Sequence, residues 1–420
     1  MFQIPRGTRD FTPEEMQKRR FVEEIMRSTF QKYGYKEVQT PTFETLELFT
    51  AKSGETIVDE LYFFKDKAGR DLALRPELTA PVIRFYVDKL QMESKPLKLF
   101  YFGNCFRYDR PQKGRYREFM QAGCELIGTD TNEAYAELIA LAYTILKNVG
   151  LKDIKLFIGN LNILSFIFKI FNISKDQQKK LTPFIDKSLF NDINSALKEF
   201  GISEKDAEKF IEILQTSDTK KILKLIEKDE LAKNEMIKLI KILELLKNIF
   251  EIDTCEIKIS IVRGLDYYKG VVFEIDAPIL GAEKQLCGGG AYELIPLFGG
   301  KETATMGFAI GFDRTILALE LEKYNFPTFK LDFFVIPVNE EMISKSLEIT
   351  QNLRKKGFFV DMDLLKRGLS KSLKYASSIN VDKIIIVGQK ELQNESVTIR
   401  DMKTGKQELV KIDILYQKIH

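Results

Sequence analysis

The sequence predicts an α+β protein: an antiparallel sheet flanked by helices, interrupted by a helical insertion and followed by a smaller α/β unit. Three observations predict it. Two apolar runs, Leu97 to Phe106 and Phe119 to Ile127, flank a loop that carries Arg107, Arg110, Arg115 and Arg117 with a Pro and a Gly, and they read as a β-hairpin with a long tip. From residue 163 to 253 the composition shifts to Lys, Ile, Leu, Glu and Phe at helical spacing, with a single Pro at 183, as in an inserted bundle of about four to six helices. Beyond Pro327, strand and helix patterns alternate.

The elements follow in order. Pro13 to Lys32 reads as an amphipathic helix, with Thr12 as its cap, Glu15 at the third helical position and Gly34 past its end. Tyr35 to Thr40 reads as a strand stopped by Pro41. Tyr62 to Phe64 and Asp71 to Leu74 are expected as short strands around the turn Lys67-Ala68-Gly69, and Leu78 to Leu90 as a helix. After the hairpin, Glu133 to Val149 is a helix ending at Gly150, and Ile154 to Ile158 a strand. Past the insertion, strands are expected at Glu256 to Val262 and Gly270 to Ile275, a Gly-rich turn at Gly288-Gly289-Gly290, and a helix from about Gly311 to Lys323. The last unit alternates Phe333 to Pro337, Glu341 to Lys356, Phe358 to Met362, Leu369 to Ser377 and Lys383 to Val387. It ends in a β pair, Val397 to Asp401 and Gln407 to Lys411, and so predicts a mixed sheet.

Composition excludes several classes of chemistry. At 420 residues, 44% hydrophobic and 30% charged, the chain suffices for about two or three domains. A net charge of +3 is weak for this size, so contact with nucleic acid must come from local patches. No apolar run has the length of a membrane span, and Met1 to Asp10 lacks the apolar core of a signal peptide. Cys105, Cys124, Cys255 and Cys287 show no CxxC spacing and are expected as reduced structural thiols in a cytoplasmic protein. The only histidine is His420, the last residue, which removes His-dependent triads, HExxH zinc sites and His general bases from the folded body. Chemistry must rest on Arg, Glu, Tyr and backbone groups.

Four runs carry candidate chemistry. On the return arm of the hairpin, alternation puts Arg117, Phe119, Gln121, Gly123 and Glu125 on one face and Met120, Ala122, Cys124 and Leu126 on the other. The second face is ordinary core. The first presents polar groups where a helix-covered sheet would be apolar, so Glu125 is expected to be solvated in a cleft or paired with a ligand, unless that face is simply exposed. The arginines suit phosphate oxygens, against the alternative of a solvated basic turn. Ile261-Val262-Arg263-Gly264-Leu265-Asp266-Tyr267-Tyr268-Lys269-Gly270 joins two β-runs through Arg, Asp and paired Tyr, or is a surface loop. In Leu74-Arg75-Pro76-Glu77-Leu78-Thr79, Glu77 and Thr79 mark a strand-to-helix junction, as ligands or as helix caps. Gly307-Phe308-Ala309-Ile310-Gly311-Phe312-Asp313-Arg314 opens a helix, with glycines that permit close approach; Asp313 and Arg314 are otherwise first-turn surface charges. No GxxxxGK[ST] loop is present, so ATP would not be held by a P-loop.

Together these runs resemble the class II aminoacyl-tRNA synthetases, and specifically the histidyl-tRNA synthetase family, over nearly the whole chain. The resemblance begins at Pro5-Arg6-Gly7-Thr8-Arg9-Asp10; Pro13 to Pro41 is similar to motif 1, Arg107 to Glu125 to motif 2 and Gly307 to Arg314 to motif 3. The most specific elements are Phe106 to Phe119 (FRYDRPQKGRYREF) and Arg263 to Tyr268 (RGLDYY). Leu369-Ser370-Lys371-Ser372 is similar to the KMSKS signature of class I synthetases, but that fold also needs an HxGH motif, which a chain without an internal His lacks.

The resemblance implies a catalytic domain over residues 1–325, holding the 163–253 insertion, and an anticodon-binding domain over 328–420. It implies activation of L-histidine by ATP with Mg²⁺, transfer to tRNA(His), and a homodimer through motif 1. Arg107 and Arg263 would act on the α-phosphate, with Arg107 also on the amino-acid carboxylate. Phe119 would stack on adenine with Arg314 on its other face, and Arg115 would reach the outer phosphates. Glu77, Thr79 and Gln121 would hold the α-ammonium. Glu125 and Tyr268 would bond the two imidazole nitrogens, with Tyr267 lining the pocket. Arg110, Gln112, Lys113 and Arg117 would meet tRNA. No resident metal site is implied. Two departures stand out: Gly288-Gly289-Gly290-Ala291-Tyr292-Glu293 replaces the family's usual GGGRYD, and Asp313 stands where Glu is usual. The main rival is the regulatory subunit of ATP phosphoribosyltransferase, a paralogue without the C-terminal domain. Synthetases for proline, threonine or glycine are argued against by RGLDYY and the Glu125/Tyr268 pair, and a purely structural tRNA-binding protein by the paired ammonium and phosphate sites.

Overall fold

The computed structural model describes residues 2–53, 55–110, 114–227, 229–262 and 268–416. The chain divides into two compact units at Phe326 and Pro327. In the first, helix α1 (Pro13–Lys32) starts with a full capping box between Thr12 and Glu15 and buries Val22, Met26 and Phe30. Strand β1 (Lys36–Glu37) is shorter than the expected Tyr35 to Thr40 run. Strands β2 (Phe43–Thr45), β3 (Phe63–Lys65) and β4 (Asp71–Leu74), with helix α2 (Leu46–Ser53) between the first two, make a small antiparallel sheet in the order β2-β4-β3. Helix α3 (Thr79–Phe85) gives way to a π-turn at Tyr86–Leu90, where one continuous helix was expected.

The hairpin arms are β5 (Leu97–Phe106) and β6 (Glu118–Ile127), each ten residues long and antiparallel throughout. Helix α4 (Asn132–Asn148), capped by the Thr131 side chain, leads to β7 (Lys155–Asn160). Six helices follow: α5 (Leu161–Ile170), α6 (Lys175–Asp186), α7 (Phe190–Glu199), α8 (Glu204–Gln215), α9 (Thr219–Ile226) and α10 (Glu230–Asn248). Five begin on a side-chain cap, at Asn160, Ser174, Ser203, Asp218 and Asp229, so each start is written locally. Strands β8 (Cys255–Ile257), β9 (Tyr268–Asp276), β10 (Gln285–Tyr292) and β11 (Thr305–Gly311) and helix α11 (Phe312–Leu321) complete the unit.

Eight strands form one sheet in the order β1-β5-β6-β11-β10-β9-β7-β8. The six central strands are antiparallel, while β1 and β8 join its edges in parallel. The Gly-rich turn expected at Gly288 to Gly290 is instead part of β10, between β11 and β9. Glycine serves there through absent bulk: a Cβ on Gly289 would lie 2.4 Å from the Gly307 carbonyl oxygen and 2.6 Å from Phe308 Cβ.

One face of this sheet carries the main core. Phe100, Ala122, Cys124, Leu126, Phe273, Cys287 and Phe308 pack under α1, α4 and α11, and the same core continues into the six inserted helices. Phe30 stacks on Phe100 at 5.0 Å and 11°. Each such fully buried side chain contributes about 1.5–3 kcal/mol. The opposite face, with Leu99, Tyr101, Cys105, Ile127 and Tyr292, packs against α3, its π-turn and the segment of Leu294, Ile295 and Phe298, and it holds the polar groups.

The second unit contains β12 (Phe333–Pro337), α12 (Ile343–Lys355), β13 (Val360–Met362), α13 (Leu369–Ser378), β14 (Lys383–Val387), α14 (Gln389–Gln393), β15 (Ser396–Asp401), β16 (Gln407–Lys411) and α15 (Ile412–Leu415). Its sheet, β13-β12-β14-β15-β16, is mixed as expected: β13, β12 and β14 run parallel, and β15 and β16 are antiparallel additions.

Candidate active site

Register decides which residues share the polar face. Leu99 opposes Glu125, Tyr101 opposes Gly123, Gly103 opposes Gln121 and Cys105 opposes Phe119. On the other side of β6, Gly307 opposes Glu125 and Ala309 opposes Gly123, while Gly290 of β10 opposes Gly307. The alternation read from the return arm therefore holds, and glycines stand on this face in four adjacent strands. They leave room that neighbouring side chains fill. A Cβ on Gly123 would come within 2.7 Å of the Tyr101 ring, and one on Gly307 within 1.9 Å of Glu125 Oε2.

Glu125 sits among these glycines. It is 1% exposed, so it is not solvated in a cleft as one expectation had it. Tyr101 Oη donates to its Oε1 at 2.9 Å and Tyr292 Oη to its Oε2 at 2.5 Å. Burial pushes the Glu125 carboxyl up to about 8, against the lowering effect of hydrogen bonds from Tyr292, Tyr101 and Thr79 and with a further upward push from the Glu77 carboxylate. Burial, and then the Glu125 carboxylate, raise Tyr101 well above the ordinary phenol value, so it stays a donor. Neither tyrosine was singled out from the sequence as a partner of Glu125. Tyr101 lies in an apolar run that reads as core, and Tyr292 shares the Glu125 face through the β10–β11–β6 register, while an irregularity in the β10–β9 pairing sets it opposite Tyr268 with the rings 6.3 Å apart.

Glu77 is 8% exposed and accepts from the Thr79 and Ala80 amides at 2.6 and 3.1 Å, so it does cap the start of α3. Gln121 Oε1 accepts from Cys105 Sγ at 3.3 Å, and burial pushes that thiol up to about 12, leaving it a neutral donor. Arg107 Nε donates to the Pro76 carbonyl at 3.0 Å, and its guanidinium sits 5.3 Å from the Phe119 ring centre. Glu77, Thr79, Arg107, Phe119, Gln121, Glu125 and Tyr268 thus belong to one surface, gathered from α3, β5, β6 and β9.

The cations nearer the tip are paired. Arg115 Nε meets Asp109 at 2.9 Å, and Arg117 Nε donates to the Asp109 carbonyl at 3.1 Å while its guanidinium covers Tyr108 at 4.0 Å. Arg314 donates to the Gly114 and Gln285 carbonyls at 3.0 and 3.1 Å and to Glu283 at 2.5 Å. Burial lowers its pKa, opposed by Glu283 and assisted by Arg115 and Arg107. Sequence reasoning missed Asp109 and Glu283 as their counter-charges; Glu283 lies 31 residues from Arg314, with nothing local to signal the pair. Asp313 is no surface charge: its side chain is 4% exposed between Arg9 and Arg19. Arg110 is exposed. Gln112, Lys113, Arg263 and Tyr267 lie outside the described residues. Among the described residues no helix is long and apolar enough to cross a membrane.

Comparison with known proteins identifies the family. The family model described as histidyl-tRNA synthetase matches residues 7–315, and that of an anticodon-binding domain matches 332–420. The chain belongs to the histidyl-tRNA synthetase family. Histidine–tRNA ligases of Methanocaldococcus jannaschii and Methanosarcina acetivorans are 46% and 44% identical to it, over 99% of this chain and 99% and 98% of theirs. The structure of the apo S. aureus histidyl-tRNA synthetase is 30% identical, covers 100% of this chain and 99% of its own, and superposes with a TM-score of 0.78. Membership makes the chain a class II aminoacyl-tRNA synthetase, a ligase of histidine and tRNA. The second matched region and the full-length relatives do not favour the regulatory paralogue.

Proposed function

We propose that the first unit activates L-histidine with ATP to histidyl-adenylate, releasing pyrophosphate, and passes the histidyl group to the 3′ end of tRNA(His), while the second unit binds the anticodon. The observation that carries this reading is Glu125: a buried carboxyl among glycines, held by two tyrosine hydroxyls and close enough to Glu77 to feel its charge, with Arg107 further along the same hairpin face. Such a set fits a zwitterion bearing an imidazole. Two carboxyl oxygens offer about four acceptor positions, and Tyr101, Tyr292 and Thr79 take three, so Glu125 can still take an imidazole N–H, with the Tyr268 hydroxyl for the other nitrogen and Tyr267 lining the pocket. Glu77, Thr79 and Gln121 hold the α-ammonium. An analogue lacking the ring nitrogens would leave buried polar groups unpaired, a mismatch worth roughly 10⁴-fold or more in discrimination.

Attack of the substrate carboxylate on the α-phosphate forms the acyl–phosphate bond and expels pyrophosphate. The nucleophile is already ionised, so no general base is required, consistent with a body free of histidine. Charge that gathers on the phosphate is met by the guanidinium groups of Arg107 and Arg263. Phe119 supports the adenine with Arg314 over its other face, and Arg115 reaches the outer phosphates. Mg²⁺ enters as part of the substrate, on the phosphate oxygens of ATP. Arg110, Gln112, Lys113 and Arg117 are left for the acceptor end of tRNA. We also propose a homodimer, supported by Phe43, Phe63 and Phe64, which the small sheet exposes by 51%, 52% and 42%.

The test is amino-acid-dependent ATP–pyrophosphate exchange. Histidine should support it, and proline and threonine should not; no exchange with histidine, or equal exchange with the others, would remove this reading.

A further inference from the structure

Asp313 does work that neither its motif nor its neighbours explain. Strand β11 pairs with β6 as far as Gly311 opposite Gln121, and the chain then turns into α11, so the ladder stops one residue short of Met120. The orphaned Met120 N–H donates to Asp313 Oδ2 at 2.7 Å, across a bond that would otherwise belong to a strand. Met120 follows Phe119, and Asp313 precedes Arg314. One carboxylate therefore links the backbone beneath the two side chains that the preceding section places on opposite faces of adenine.

The carboxylate is itself clamped. Arg9 Nη2 reaches Oδ1 at 2.7 Å and Arg19 Nη1 reaches the same oxygen at 2.5 Å. Arg19 comes from α1, where its guanidinium also lies 5.0 Å from the Phe312 ring and 4.2 Å from Phe11. Arg9 comes from the N-terminal segment, which runs along the return arm of the hairpin. Its guanidinium lies 3.4 Å from the Tyr116 ring centre, and the Gly7 carbonyl accepts from Arg117 N–H at 2.9 Å. Arg9 Nε is buried without a hydrogen-bond partner, an expense tolerated only where the other contacts of the side chain exceed it. Packing alone would favour a neutral side chain here; the geometry favours a fork aimed at Asp313.

We infer that Asp313 is a positioning residue which sets the separation of Phe119 and Arg314, and that Arg9 and Arg19 fix it, so that the N-terminal segment forms part of the device that determines affinity for the adenine of ATP. The inference rests on the proposed placement of Phe119 and Arg314 against that base. Arg9 touches none of the groups assigned to histidine, so its loss should be felt on one substrate only.

The experiment measures KM for ATP and for histidine separately in pyrophosphate exchange, using the full chain. Arg9→Ala should raise KM for ATP roughly tenfold, as expected for losing a charge-assisted hydrogen bond to a buried carboxylate, with KM for histidine changed less than about twofold. Asp313→Asn should do the same, and Arg9→Ala should add nothing in that background, which marks an effect passing through Asp313. Arg9 is partly exposed, so its variant remains informative if Asp313→Asn fails to fold. An unchanged KM for ATP in Arg9→Ala, or an equal rise for both substrates, overturns the inference. Phe119→Ala separates the two levels: if it leaves KM for ATP unchanged, the adenine placement has failed; if it raises KM for ATP while Arg9→Ala does not, the positioning role alone has failed.

Discussion

Gly307→Ala tests the role of these glycines by adding one methyl group. The new Cβ would stand 1.9 Å from Glu125 Oε2, 2.9 Å from its carboxyl carbon and 2.5 Å from the Cys124 carbonyl oxygen, whereas ordinary contact begins at 3.4 Å. The Cys124 carbonyl is backbone of the central strand β6 and yields little. Glu125 is the movable partner, and turning away breaks its bonds to Tyr101 and Tyr292. With its pKa raised to about 8 the carboxyl is largely neutral near pH 7, so these hydrogen bonds are worth about 0.5–1.5 kcal/mol each, and overpacking adds roughly 1–3 kcal/mol. Even partial loss at the imidazole position predicts a rise in KM for histidine on the order of 10²-fold, with KM for ATP within about threefold, because adenine is assigned to Phe119 and Arg314 at a different part of the surface. Exchange kinetics with each substrate varied in turn supply the measurement, and thermal unfolding establishes that the variant is folded. A folded Gly307→Ala protein with an unaltered KM for histidine would refute the claim that these glycines shape the pocket.

Two further outcomes are expected. Burial raises Glu125 from 4.5 to about 8, so the folded protein binds that proton more tightly than the unfolded chain does. Its contribution to stability is complete below about pH 4.5 and is lost as pH rises through about 8. Without histidine, the Tm should therefore fall across that window, and Glu125→Gln should flatten the fall; identical pH profiles would show that Glu125 does not titrate there. Replacing the exposed Phe43, Phe63 and Phe64 together by serine should shift the protein toward monomer in sedimentation, whereas an unchanged oligomer would place the interface elsewhere.

Much of this was legible in the sequence, for identifiable reasons. The hairpin arms and the alternation of Phe119, Gln121, Gly123 and Glu125 follow from period-two patterning, which a ten-residue antiparallel pair preserves without a bulge. The inserted helices were legible because apolar residues recur at helical spacing from residue 163 to 253, a pattern their buried faces preserve. Gly288 to Gly290 misled because three glycines ordinarily signal a turn, while in β10 they mark strands and side chains packed too closely for a Cβ. Tyr101 and Tyr292 were missed since their meeting at Glu125 depends on cross-strand register over 24 and 167 residues, which no local pattern encodes. Asp313 looked like a first-turn charge for the same reason: its partners Arg9 and Arg19 lie some 300 residues away.

The central claim is that Glu125 reads the imidazole of histidine. Glu125→Gln keeps the size of the side chain and one acceptor while removing the charge, and the decisive measurement is its pair of KM values in pyrophosphate exchange. The account predicts a rise for histidine on the order of 10²-fold with ATP within about threefold. An unchanged value for histidine, or equal rises for both substrates, would contradict it.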